Sequence, residues 1–303
     1  MRPSLLVVAA LALLTVTALA AGDTLRRDPS PLILAVGAER VQLNSADYVR
    51  ADRVDRRALA RAIERRVAPE VVVRSGRARI LRRRNVLRAA RQAASLGTEG
   101  GVVSVDSRAV SVAISAPVVA QAQRNTCESA ALQVLAGTVG LQLDQRRIQR
   151  AFPTSGRLDP APGPVGEVWG DPDEGYVGRP DGGGARGGFG IYPGPVLRTA
   201  RQLGLVLDDL TGVSPSAVYR RLLGGRAVMA WIGLSDGPYG TWISPEGRRI
   251  RVNFGEHTVV VHGLREDGLL LISNPLVGTR EMWTQAQFEA RWRLLGRRAL
   301  SPR

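Results

Sequence analysis

Residues 121–135 read QAQRNTCESAALQVL and contain the one cysteine of the 303-residue chain. The stretch predicts a loop that turns into a helix at Cys127 and runs to about Gly137 or Gly140. Asn125 stands where a helix cap is expected. Glu128, three residues on, stands where a capping-box partner reaches back. A thiol in a first helical turn sits among unpaired N–H groups at the positive end of the helix dipole, and both lower its pKa. The bland use of a lone cysteine is as a small buried hydrophobe. The rest of the sequence has to decide between nucleophile and filler.

A nucleophile needs a base, and the chain has two histidines, His257 and His262, both in GEHTVVVHGL. This segment predicts a strand, on which positions five apart point to opposite faces. Only one of the two can look toward Cys127. His257 opens the strand beside Gly255, where a site edge is expected, whereas His262 sits deeper and suits a hydrogen-bonded core position. Either one could be purely structural. Asn274 ends the next strand, in LLLISN, and a turn at Arg265–Gly268 would bring it back beside His257. An amide there accepts from the imidazole N–H and fixes its tautomer. The alternative is that Asn274-Pro275 only starts a turn. Gln121, six residues before the thiol, is an oxyanion donor together with the Cys127 N–H, and Gln123 is its local competitor.

Working outward, an apolar run from Leu5 to about Leu19 follows Arg2 and ends in Ala18-Leu19-Ala20. This reads as a signal peptide over 1–20, with an uncleaved membrane anchor as the alternative, and so predicts a secreted or extracytoplasmic protein. Residues 21–40 read as a linker. Residues 41–115 read as a basic accessory segment or pro-region. Its helix carries Leu59, Ile63 and Val67 four apart, two short strands flank a Ser-Gly turn, a second helix runs from Asn85 to Gly97, and VVSVD and VSVAI suggest a small hairpin. Fifteen arginines lie between Arg50 and Arg91. A solvated face explains them most simply. Attraction to an anionic membrane surface or cell-surface polymer is the sharper use. Nucleic acid is disfavoured because no aromatics interleave with the charges.

Residues 116–303 read as one domain with helices first and strands afterward, which predicts an α+β fold. Two further helices are expected at PVLRTARQLG and SPSAVYRRLLGG. Strands are expected at RAVMAWIGL, RRIRVNF, HTVVVHGL and GLLLISN. A closing helix capped by Thr284 should turn Phe288, Trp292 and Leu295 inward. The Gly/Pro-rich segment from Pro153 to Gly190 reads as a mobile loop near the cleft. Its Asp171-Pro-Asp-Glu174 cluster is better explained as a turn than as a cation site. No cofactor or metal is expected.

These blocks together resemble a papain-like cysteine peptidase, and more narrowly the cysteine peptidase family 39-like proteins, relatives of the leader-cleaving domains of bacteriocin transporters. The resemblance rests on QAQRNTCESAALQVL, WGDPDEGYVG, GFGIYPGPV, GRAVMAWIGL, GEHTVVVHGL and NPLVGTREMW, and covers about residues 116–300. It implies a papain-like fold, with a Cys-bearing helix packed on an antiparallel sheet that carries His and Asn. It implies Cys127 as nucleophile, His257 as base and acid, Asn274 as orienter and Gln121 as oxyanion residue, acting on a peptide or protein amide bond. Asn274 stands where family members commonly have Asp. No ATP-binding or multi-span segment accompanies it, so the transporter-linked leader substrate does not carry over. A cell-wall amidase with the same chemistry and a non-catalytic binding module on a peptidase fold are the alternatives.

Overall fold

The computed structural model describes residues 32–36, 39–50, 53–67, 71–74, 77–81, 85, 87–89, 91–92, 101–104, 107–183 and 187–303. The expected signal peptide and the Gly97 helix end lie outside the described residues.

The centre of the fold is a seven-stranded antiparallel sheet. Its strands are β1 (Val112–Ala113), β2 (Leu207–Asp209), β3 (Val228–Gly233), β4 (Glu256–Leu264), β5 (Leu270–Asn274), β6 (Thr279–Trp283) and β7 (Ala299–Pro302). They run in the order β2-β7-β3-β4-β5-β6, with β1 beside the far end of β4. The strands β3 and β4 are buried along nearly their whole length, as expected of a sheet covered on both sides.

The two covering layers follow from strand alternation. Directly paired residues share a face. Met229, Trp231, Val260 and Leu300 pack with Ala131, Leu132 and Leu135 of α1 (Cys127–Gly137) and with Val196 of α3 (Pro193–Gln202). We call this the front face. Val228, Ala230, Ile232, Val259, Val261 and Ile272 point the other way. They pack on Val218 and Leu222 of α4 (Pro215–Leu223) and on Phe288 and Trp292 of α5 (Gln285–Leu294). The fold is α+β and papain-like. Thr284 closes a full capping box with Gln287 at the start of α5, and Phe288, Trp292 and Leu295 are buried.

Several elements depart from the sequence expectation. RRIRVNF does form a strand, Arg249–Asn253, but it belongs to a separate four-stranded sheet with Tyr239–Ile243, Gly166–Val168 and Ala161–Gly163. Parts of the described Gly/Pro-rich segment are packed rather than loose. Trp169 and Phe189 are buried, and Phe189 meets the rings of Tyr192, Trp242 and Phe254 edge-on. Asp171 pairs with Arg248 at 2.8 Å and accepts from the Asp173 N–H, which is turn chemistry. A short helix that the sequence reading missed, α2 (Gln145–Ala151), is capped by Asp144.

Before residue 110 the expected linker contains a strand, Leu32–Val36. It pairs antiparallel with Glu39–Leu43 and parallel with Gly101–Ser104. That pairing takes VVSVD away from the expected hairpin, while VSVAI gives β1 to the main sheet. Val71–Arg74 and Arg77–Leu81 do pair around the Ser-Gly turn. In the helix Arg56–Val67, Leu59 and Ile63 are fully buried. Val71–Arg74 packs against α4, on the back of the sheet.

Candidate active site

The helix α1 starts at Cys127 as the spacing predicts, but its cap differs. Thr126 takes the cap position and its hydroxyl turns back to Gln123 O at 3.0 Å. Asn125 instead donates from Nδ2 to Arg179 O and Gly182 O, clamping the glycine-rich segment. Glu128 does not reach back to the cap. Its Oε1 accepts from Ile191 N at 2.8 Å, and its Oε2 accepts the Cys127 thiol at 3.3 Å. The carboxylate passes so close to Gly190, whose φ is +129°, that a Cβ there would collide with Oε1. Glycine is therefore required at that position by both space and backbone conformation.

On its other side the thiol meets Thr258 Oγ1 at 3.8 Å, and Thr258 donates to Glu256 Oε1 at 3.3 Å. Cys127 is only 5% exposed. Burial pushes its pKa well above the usual thiol value, and the Glu128 and Glu256 carboxylates push it further. This corrects the expectation of a thiol acidified by the helix start: two acids and a dry environment outweigh the dipole. Burial likewise lifts Glu128 to about 7 and Glu256 well above the ordinary range. One atom each of Cys127, Glu128 and Glu256 lies within 4.8 Å of the others, and among the described residues this is the one cluster with metal-ligand spacing.

His257 and Asn274 come together as the hairpin geometry requires. His257 Nε2 lies 2.8 Å from Asn274 Oδ1. That oxygen can only accept, so Nε2 carries the proton and Nδ1 is the basic nitrogen of the neutral ring. The Asn274 amide is fixed in turn, since Nδ2 donates to Glu281 Oε1 at 2.7 Å and Oδ1 also accepts from Leu276 N. Glu281 is held by Trp283 Nε1 at 2.7 Å and Thr279 Oγ1 at 3.2 Å. His257 is 2% exposed, and burial lowers its pKa to about 4.

The register separates this chain from the thiol. Trp231 is opposite Thr258 and Ile232 is opposite His257. Trp231 belongs to the front core and Ile232 to the back core. Thr258 therefore points forward to Cys127, while His257 points backward to Asn274, and no hydrogen bond joins the thiol to the imidazole. The histidine expected to look toward Cys127 therefore faces away from it in this arrangement. Strand alternation did separate His257 from His262, but the register puts His262 on the thiol's side of the sheet. His262 Nδ1 contacts Ile114 O at 3.0 Å, and its Nε2 is buried without a partner.

Gln121 is anchored beside the orienter, because its backbone N–H donates to Pro275 O at 2.8 Å. Its side-chain amide is turned into its own loop, donating to Gln123 O at 3.0 Å and Arg124 O at 2.5 Å. The free oxyanion donor expected of Gln121 is therefore occupied. Glu128, Glu256 and Thr258 were missed as neighbours of the thiol. The signal for Thr258 was available in strand alternation beside His257.

The profile of the Peptidase_C39 like family matches residues 113–300, and the chain belongs to that family. Among solved structures it is similar to a proposed C39-like peptidase from Bacillus anthracis. The two are 24% identical, with a TM-score of 0.55, over 64% of this chain and 98% of the other. That likeness concerns the fold. No curated protein matches the chain.

Proposed function

We propose that the protein is an exported cysteine-peptidase-type hydrolase acting on a peptide amide bond, with Cys127 as nucleophile. The observation that carries the reading is the 2.8 Å bond between His257 Nε2 and Asn274 Oδ1. It holds one imidazole tautomer with Nδ1 as the proton acceptor, at the end of β4 where α1 begins. The resting thiol is neutral and donates to Glu128. For catalysis the start of α1 and the opening of β4 have to rearrange, so that the Cys127 thiol leaves Glu128 and gives its proton to His257. The sulfur then bonds to the carbonyl carbon, and backbone N–H groups of the first turn of α1 receive the oxyanion. His257 passes its proton to the departing amine, and water cleaves the thioester with His257 again as base. The apolar N-terminal run supports export. The packing of Val71–Arg74 on α4 supports a fixed accessory role for the basic part over an inhibitory one at the cleft.

A second reading, a binding module on a peptidase fold, is favoured by one observation: the thiol is buried against carboxylates and not against an imidazole. Mass-spectrometric comparison of a peptide mixture after incubation with wild type and with Cys127→Ser separates the two. Fragments that appear with wild type and not with Cys127→Ser are expected. Identical digests from both proteins would sink the hydrolase and leave the module.

A further inference from the structure

A cavity of about 490 Å³ opens beside the nucleophile's loop, walled on one side by Ala122 and Gln123. Its floor includes Tyr176, whose hydroxyl donates to Asn125 O at 2.5 Å, two residues before the thiol. The lining also includes α2, which presents Arg146, Gln149 and Arg150. These positions are three and four apart and so lie on one helix face.

Neither Arg146 nor Arg150 forms an ion pair with any described residue. Leu158, also on the lining, is 52% exposed. A guanidinium pair is matched by a carboxylate, and an exposed leucine by an apolar side chain. One ligand class offers both at residue spacing, a peptide with an acidic residue next to an apolar one.

We propose that this cavity is a subsite for an acidic residue flanked by an apolar one in the peptide that Cys127 cleaves. The assignment to a cleaved peptide rests on the hydrolase reading above, and the binding chemistry does not. Reversing both arginines removes the match to the carboxylate without touching the thiol, the imidazole or the core, since Arg146 and Arg150 are exposed.

The test is fluorescence anisotropy on full-length Cys127→Ser protein, with a fluorescein-labelled peptide alternating Leu and Glu and its Leu/Gln and Leu/Lys twins. The Glu peptide should bind at least ~10-fold tighter than the Gln twin. Arg146→Glu with Arg150→Glu should erase that preference. Leu158→Ser should weaken all three peptides about 3-fold. Arg201→Glu with Arg226→Glu, exposed positions that do not line the cavity, should change nothing. A preference that survives reversal of Arg146 and Arg150, or that falls equally in the control pair, overturns the subsite. So does competition by inorganic phosphate with no discrimination between the Glu and Gln peptides. Cleavage is read separately in wild type. Binding without cleavage overturns the hydrolase and keeps the peptide site, whereas cleavage with no arginine dependence overturns the site alone.

Discussion

The two faces of the central sheet solve the same problem in opposite ways. On the back, His257, Asn274 and Glu281 form a chain in which each acceptor has a donor, and Glu281 is further held by Trp283 and Thr279. Burial alone would raise Glu281, yet these hydrogen bonds pull it below the ordinary carboxylate range. On the front, Cys127, Glu128 and Glu256 share few donors, and all three are driven toward their neutral forms. Burial is common to both faces. What differs is the supply of N–H and O–H groups aimed at the carboxylates, and this decides which acid stays charged.

The largest expected effect tests whether the two faces act together at all. Cys127→Ser should lower peptide hydrolysis at least ~10³-fold with an unchanged melting temperature, and His257→Ala by about 10²–10⁴-fold. His262→Gln should stay within a few-fold. A folded, inactive His262→Gln beside an active His257→Ala would move the base to the front face, where His262 lies.

Glu128→Gln sharpens the contrast next. It keeps an acceptor for Ile191 N but removes the charge beside the thiol, so alkylation of Cys127 by iodoacetamide at pH 7 should quicken about 10-fold. The pH dependence has a definite sign. A carboxyl whose folded pKa is about 7, against 4.5, favours the fold when protonated. Wild type should therefore lose about 3 kcal/mol of stability as pH rises from 4.5 through 7, a loss absent in Glu128→Gln. Denaturant titrations at pH 5 and 8 measure it. Parallel curves for the two proteins would refute the buried-acid account.

His257 should behave in the reverse sense. Its folded pKa of about 4 lies below 6.5, so its contribution to stability is lost as pH falls from 6.5 through 4. His257→Gln should flatten that acid limb, and a limb of undiminished height would mean that other groups cause it.

The smallest effects concern the orienter. Asn274→Ala should lower kcat about 10-fold, since the ring loses its anchor but keeps its basic nitrogen. Asn274→Asp should stay within about 3-fold. An inactive, folded Asn274→Asp would show that its bond to Glu281 is indispensable, because two carboxylates would then face each other across 2.7 Å.

The sequence made legible those features that depend on local spacing. The start of α1 at Cys127 and the Thr284 cap follow from patterns within a few residues, and the hairpin bringing Asn274 to His257 joins positions 17 residues apart across one turn. The course of residues 153–190 was not legible, because its order comes from distant partners such as Trp242 and Phe254 meeting Phe189. Glu128 illustrates the limit. Its position suggested a cap, but Ile191, sixty-three residues away, offers a buried N–H that captures the carboxylate. The meeting of Leu32–Val36 with Gly101–Ser104 is likewise a long-range pairing that composition cannot announce.

The chain has a single sulfhydryl, and it lies at the start of α1. The protein is thus its own reporter. Any thiol-directed mass tag, spin label or dye reads this one helix start, with no background to engineer away. One tag per chain is the ceiling, so partial occupancy measures directly how often the site opens. A disulfide-linked pair of copies would have to join the two molecules nucleophile to nucleophile. Loss of activity through disulfide formation and the appearance of such a dimer would then be one event, whereas oxidation of the thiol to its sulfur acids would silence the site in a monomer.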